Sequence, residues 1–201
     1  MTRLDGLAAD APLLRHLQRQ FSHNDEYQLH VEERYGCPQI ELEGDWATLL
    51  KRSKRADNFK RRLKQLRQLE GFAYRAVTEP AEVEAAFERF LKLHEPRWAD
   101  EGGSDFTGHA ALRAFHRELV QRLAAAGLLR FDELWFEGEC RASIYGLDDG
   151  TRYCFYNSGY DATRRQLSPG LVLLGLSIED ALRRGIRQYD FLRGDEAYKF
   201  D

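Results

Sequence analysis

Absences set the first limits on this chain. Nowhere in its 201 residues does an apolar run approach the roughly eighteen that a membrane-crossing helix needs, so no span is expected. The opening MTRLDGLAADAP lacks the apolar core of a secretory signal, which points to a cytoplasmic protein. Cysteine is scarce. Cys37, Cys140 and Cys154 stand far apart and form neither a CxxC pair nor a Cys/His cluster. That excludes a disulfide framework and predicts buried free thiols in a reducing compartment. The histidines show no metal-ligand spacing with carboxylates or cysteines, so no metal is expected. No GxSxG-like setting occurs, and a covalent intermediate on Ser or Cys is not expected either. A net charge of −3 argues against a chain-wide binder of polyanions.

What is present fits one α/β domain with a short extension. Residues 1–45 read as that extension, or as the remnant of a preceding half. Ala11 to Phe21 predicts a helix, Tyr27 to Glu33 a strand or a helix, and Gln39 to Leu42 a short strand after the Gly36-Cys37-Pro38 break. Residues 46–201 read as the domain. It opens on a basic tract with nine Lys/Arg and one acid, Asp57, between Lys51 and Arg67. Asp57 is placed to cap a helix whose Phe59, Leu63 and Leu66 face inward. The cations are either a patch for phosphates or nucleic acid, or the solvated face of that helix. With Phe59 as the one interleaved aromatic, the second reading is preferred.

From residue 71 the element order reads β-α-α-β-β-β-α-β. Gly71 to Val77 is a strand. Pro80 starts a helix with Val83, Phe87, Phe90, Leu91 and His94 on one face, ending at the step to Pro96. A second helix carries Leu112, Phe115, Leu119 and Leu123 and closes at Gly127. Three strand-like runs follow, Leu128 to Phe136, Cys140 to Leu147 and Thr151 to Asn157, joined by Glu-Gly and Asp-Gly hairpin signals. They predict an antiparallel meander, and the next helix crosses over to a strand parallel to its last member.

The most informative stretch is RRQLSPGLVLLGLSIEDALRRGIRQYDFLRGDEAYK, Arg164 to Lys199. Ser168 occupies an N-cap position and Pro169 the first helical position. Leu171, Leu174, Ile178 and Leu182 recur at helical spacing, and Gly185 ends the helix behind Arg183 and Arg184. A helix start preceded by Arg164 and Arg165 and opened by Ser-Pro-Gly can bind an anion, most often phosphate. The same features also serve plain capping. Asp190, Arg193, Asp195, Glu196, Tyr198 and Lys199 crowd behind the following strand, where α/β ligand clefts lie. Asp190 could serve as general base, Arg193 and Lys199 as stabilisers of an oxyanion or phosphate, and Tyr198 as proton donor to a leaving thiolate. The alternative is an Asp190–Arg193 ion pair that ties the loop to the sheet, with Tyr198 packing.

This order of elements resembles the GNAT acyltransferase fold, whose acyl-CoA loop follows Arg/Gln-x-x-Gly-x-Gly/Ala. Arg165, Ser168 and Gly170 fall at the matching positions, with Ser in place of the first Gly. A more specific resemblance runs from about Thr48 onward, to the CelD-like GNAT family of cellulose and exopolysaccharide synthesis, itself similar to the Fem aminoacyl transferases. Its carriers are SKRADNFKRRLKQLRQLEG, LHEPRW, YNSGYD, SPG and YDFLRGDEAYKF. The resemblance implies a mixed α/β sheet flanked by helices and an acyltransferase that uses acetyl-CoA or another acyl-CoA. The amides of Ser168, Gly170 and Leu171, with Pro169 between them, would hold the CoA pyrophosphate. Tyr156, Asn157, Ser158 and Gly159 would lie where the fourth strand splays from the fifth, offering backbone groups to the pantetheine arm. Gly175 is most simply a close-packing residue. Lys199 resembles the lysine of the Fem Phe/Tyr-Lys motif. The family's further helix and two strands are not expected here. The exposed edge of the fifth strand would then be closed by the first 45 residues or by a homodimer. The implied acceptor is a small molecule or glycan. Two other readings remain open: Fem-like transfer from aminoacyl-tRNA, and a non-catalytic GNAT-derived binding module.

Overall fold

The computed structural model describes Leu4, Gly6, Leu7, Ala9 and residues 11–22, 27–33, 35–99 and 109–194. The chain divides into two units, Met1–Gly36 and Cys37–Asp201. In the first, helix α1 spans Pro12–Phe21 and buries none of its residues. Residues 27–33 form neither the expected strand nor a helix. Their apolar positions Tyr27, Leu29 and Val31 stay exposed, so no burial rewards pairing or coiling there.

The second unit is built on a six-stranded sheet in the order β1-β6-β5-β4-β3-β2. The strands are β1 (Gln39–Glu41), β2 (Ala73–Val77), β3 (Leu129–Phe136), β4 (Glu139–Asp148), β5 (Arg152–Tyr160) and β6 (Gln188–Asp190). β2 to β5 form the expected antiparallel meander, and β6 is parallel to β5. Glu137 and Gly138 turn β3 into β4 with positive φ at both central positions, the twist that suits a two-residue hairpin. β1 pairs antiparallel with β6, so of the two closures expected for that edge, the first 45 residues or a homodimer, it is the chain's own Gln39–Glu41 that takes the position. That strand lies in the second unit, Cys37–Asp201.

The helices are α2 (Trp46–Lys51), α3 (Ala56–Leu66), α4 (Val83–Ala99), α5 (Ala110–Ala125) and α6 (Pro169–Arg183). Side chains alternate across each strand, and the sheet therefore has two cores. On one face Leu134, Phe136, Ile144, Tyr153, Phe155 and Tyr189 meet α2, α3 and α6. On the other, Phe131 and Tyr145 meet Phe87 and Phe90 of α4 and Val120 of α5. Asp132, fully buried under α6, accepts from Tyr74 Oη at 2.7 Å, Tyr153 Oη at 2.5 Å and Arg130 Nε at 2.8 Å. Arg130 also reaches Asp180 at 2.5 Å and so fastens the second half of α6 to the sheet. On the opposite face Glu133 takes two bonds from Arg89, at 2.8 and 3.2 Å, and one from Trp135 at 2.9 Å.

Several local expectations are corrected. α4 runs through Pro96 to Ala99 instead of stopping at the proline. On α5 the buried stripe is His116, Val120 and Ala124, one residue round from the expected face, and Phe115 is 56% exposed. On α6 the buried stripe is Val172, Leu173, Ile178 and Ala181, with Leu171, Leu174 and Leu182 only half-buried. Asp57 lies inside the first turn of α3, and the N-cap is Arg55. Cys37 is exposed, Cys140 and Cys154 half-buried.

Candidate functional site

The site begins with a separation of strands. β5 and β6 pair only from Arg152–Gln188 to Cys154–Asp190, while β5 continues to Tyr160. Two local features produce the divergence. The β4–β5 register shifts between Tyr145 and Gly146, where one extra β5 residue, Tyr156, bends the strand. β6 meanwhile ends in a turn at Leu192, whose φ is +56°, and the Asp190 carboxylate accepts the Leu192 amide at 2.7 Å.

Past the divergence lies a cleft of about 350 Å³ on the α6 side of the sheet. Its floor and apolar walls are Ile144, Phe155, Leu173 and Leu174, and its polar rim is Arg55, Asn58, Arg165 and Ser168. Among the described residues, two arginines and no carboxylate line it. The loop above it is held from below. Asp161 accepts from Thr163 N at 2.9 Å, Thr163 Oγ1 at 2.6 Å and Arg141 at 2.7 Å, which sets the 3-10 turn Ala162–Leu167 on the end of β5. Although burial opposes ionisation, these bonds hold the Asp161 carboxyl below its usual range.

Ser168 is not the hydroxyl cap that its type predicts. Its φ and ψ are +54° and +51°, the left-handed region, and its side chain makes no capping bond. It therefore adopts backbone angles that favour glycine. Its amide is occupied by Arg165 O at 3.0 Å and its carbonyl by Val172 N at 3.1 Å. Pro169 has no N–H. The amides with no intrahelical partner at the start of α6 are consequently those of Gly170 and Leu171, at the cleft. A Cβ on Gly170 would come within 3.3 Å of the Tyr160 ring, so glycine lets that ring pack against the loop.

The other expected residues divide. Arg165, Pro169, Gly170, Leu171, Ser158 and Gly159 are brought to the cleft. Arg164 is not: it pairs with Glu137 on the β3–β4 turn at 2.5 Å. Tyr156 turns to the opposite face and meets Tyr145, ring centroids 5.0 Å apart. Asn157 Oδ1 accepts the Ser158 amide at 2.8 Å, and the Ser158 carbonyl accepts His94 Nδ1–H at 2.9 Å. The amide and the carbonyl of Ser158 thus each have a protein partner. His94 is itself a core residue, 1% exposed and stacked on Phe90. Asp190 is buried, accepts the Leu192 amide in the turn and lies 3.9 Å from Arg152. Arg193 is exposed just after β6, and Tyr198 and Lys199 lie outside the described residues.

Sequence reasoning missed two features. Arg55 and Asn58, from the tract read as a solvated face, are part of the cleft wall. His116 is buried between Tyr145 and Tyr156, whose hydroxyls lie 3.5 and 3.4 Å from its two ring nitrogens. Burial lowers its pKa. Burial likewise pushes the thiols up, Cys140 to about 12 and Cys154 to about 11, which leaves them protonated and unreactive. No group of carboxylates, thiols and imidazoles suited to a metal occurs among the described residues. None of the described helices is long and apolar enough to cross a membrane.

Residues 53–200 match the model of the acetyltransferase (GNAT) domain. No curated protein matches the chain. Among solved structures it is similar to FemX, with a TM-score of 0.64 and 10% identity over 91% of this chain and 60% of that one. It is similar to a conserved protein of unknown function from Bacteroides thetaiotaomicron VPI-5482, at TM-score 0.57 and 13% identity over 84% of this chain and 55% of that one. A third is the C-terminal domain (DUF2156) of a putative lysylphosphatidylglycerol synthetase from Agrobacterium fabrum, at TM-score 0.53 and 10% identity over 79% and 46%. Identities this low carry the fold alone. The chain spans about half to three-fifths of those structures.

Proposed function

Because the chain belongs to the acetyltransferase (GNAT) domain family, we propose that it moves an acyl group, acetyl in the first instance, from coenzyme A to an acceptor hydroxyl or amine. The observation that carries the donor assignment is the cleft at the strand divergence, lined by Arg165, Gly170 and Leu171 and, among the described residues, by no carboxylate. Backbone amides at a helix start and an arginine fork suit a diphosphate. The apolar floor of Ile144 and Phe155 suits a pantetheine arm. The arm would run toward the gap between β5 and β6, where the thioester meets the acceptor. The acceptor heteroatom attacks the carbonyl carbon, the carbon–sulfur bond breaks, and the acceptor's proton ends on the departing thiolate. Arg193 and Lys199 are proposed to steady the oxyanion and Tyr198 to supply the proton. Asp190, committed to the Leu192 turn, is assigned to shaping the gap. The sequence resemblance to CelD-like proteins supports an envelope glycan as acceptor and the cytoplasmic acyl-CoA pool as donor source.

A thermal melt tests the donor. Acetyl-CoA at a hundred times its Kd adds about 2.7 kcal/mol to stability, which for a domain of this size raises Tm by several degrees. An unmoved Tm at millimolar acetyl-CoA, with a cooperative transition in the sample, excludes this donor. One observation favours a second reading. The likeness to FemX, together with nine Lys/Arg between residues 51 and 67, supports an aminoacyl-tRNA donor. That reading requires steeply salt-dependent tRNA binding. Binding of acetyl-CoA without tRNA binding removes it.

A further inference from the structure

Where β6 leaves β5, the backbone groups on that edge of β5 face the gap. The Asp161 amide bonds Arg141 O of β4 at 2.8 Å, and bonded and non-bonded pairs alternate along an antiparallel ladder. Ile144–Ser158 is by that count a non-bonded pair, so the amide and carbonyl of Ser158 point away from β4 and into the gap. The Asn157 side chain takes that amide, with Oδ1 accepting it at 2.8 Å. Its carboxamide is therefore bent over the strand edge. Because the Ser158 N–H must meet the oxygen, the amide group has one orientation, and Nδ2 keeps two N–H donors. Among the described residues Nδ2 has no protein partner. Asn157 stands opposite Tyr145 in the ladder, so its side chain starts from the face away from the donor cleft. It is half-buried and follows the bend at Tyr156. It also lies between Cys154, the last β5 residue paired with β6, and Tyr160, against which Gly170 packs.

We infer that Asn157 Nδ2–H donates to the carbonyl oxygen of the donor's thioester and stabilises the negative charge that gathers there as the acceptor attacks. The inference rests on the acyl-CoA reading above and adds a side-chain donor on the β5 side of the gap. An arm that starts at the diphosphate end, by Tyr160, passes Asn157 before the strands close at Cys154. The thioester is the one carbonyl that has to be reached from both faces, by the donor cleft on one and the acceptor on the other. The Asn157 carboxamide comes from the second face to the shared edge. The Ser158 amide polarises it through Oδ1 and so strengthens Nδ2 as a donor. A donor already fixed in place needs no reorganisation when the oxyanion forms.

The test needs no acceptor. Asn157→Asp keeps an oxygen for the Ser158 amide and removes both N–H donors, so its melting temperature is expected to match that of the wild type. Asn157→Ala serves as the second variant. Calorimetric titration of the full chain should show acetyl-CoA bound about three- to tenfold more weakly by Asn157→Asp, and coenzyme A, which lacks the carbonyl, bound equally well. Isotope-edited infrared spectra of bound, carbonyl-labelled acetyl-CoA should place the thioester stretch at a lower wavenumber in the wild type than in either variant. The same wavenumber in all three proteins, with acetyl-CoA bound, overturns the inference and leaves the donor reading intact. Equal weakening of acetyl-CoA and coenzyme A by the substitutions overturns it too, since Asn157 would then hold the arm and not the acyl group. Failure of the wild type to bind either ligand removes the donor reading and this inference together.

Discussion

Ser168 holds, with a side chain, the conformation that glycine adopts freely. A non-glycine residue in the left-handed region costs about 1–2 kcal/mol. Glycine there loses roughly 0.5–1 kcal/mol of unfolded-state entropy in exchange. Because the hydroxyl makes no cap, the strain term wins. Ser168→Gly should therefore gain about 0.5–1 kcal/mol by denaturant midpoint, and Ser168→Val should lose more than that. A hydroxyl acting as a true cap would give the opposite sign for the glycine variant. The sequence showed the loop's position through Arg165, Ser168 and Gly170. It hid the loop's geometry, because Ser before Pro also reads as an ordinary helix cap. His116 gives a second prediction at this scale. Its pKa is lowered by burial, so the folded chain keeps the ring neutral while the unfolded chain takes a proton below about pH 6.5. Its contribution to stability is full above that pH and declines as pH falls through the folded value. His116→Gln should flatten the stability profile in that acidic window, and an unchanged profile would remove the burial argument.

At the scale of elements, the contact of α3 with α6 decides whether the cleft has two walls. Gly175→Ala drives a methyl group into Phe59 and should cost about 1–3 kcal/mol, the usual range for overpacking. Phe59→Leu in the same chain returns space, so the pair of changes should cost less than their sum. Additive costs would show that the two helices do not meet there. The sequence predicted close packing at Gly175 without naming the partner, since Phe59 lies far away along the chain. Other elements were legible in proportion to how local their signals are. The meander follows from Glu137-Gly138 and Asp149-Gly150, whose turn chemistry is complete within a few residues. The buried face of α5 was not legible, because Leu112, Phe115, Leu119 and Leu123 share a helical period with His116, Val120 and Ala124. Only the sheet beneath chooses between them. Helix α2 was missed although Asp45 caps it, accepting from Thr48 N at 2.9 Å and Thr48 Oγ1 at 2.8 Å. The flanking cations drew the reading toward charge and away from capping.

For the whole molecule, the net charge conceals its distribution. Carboxylates are engaged inside ion pairs and turns, as at Asp132, Glu133 and Asp161, and two arginines stand among the described residues that line the cleft. Donor binding should accordingly weaken as salt rises, by an amount that Arg165→Ala reduces. The fold class was legible because element order and hairpin turns are local. The closing of β6 by β1 was legible only as one of two alternatives, since the register that joins Gln39–Glu41 to Gln188–Asp190 spans 149 residues of chain and has no local signal. The cleft itself was half legible. Its α6 side carries a motif, whereas its α3 side consists of ordinary helix residues that only tertiary packing brings round. The account turns on that cleft being a coenzyme A site. Titration calorimetry of acetyl-CoA into the wild type and Arg165→Ala tests it most directly. One-to-one binding, about tenfold weaker in the variant, is the predicted result. No heat of binding at millimolar ligand from folded protein, or an affinity indifferent to Arg165, would contradict it.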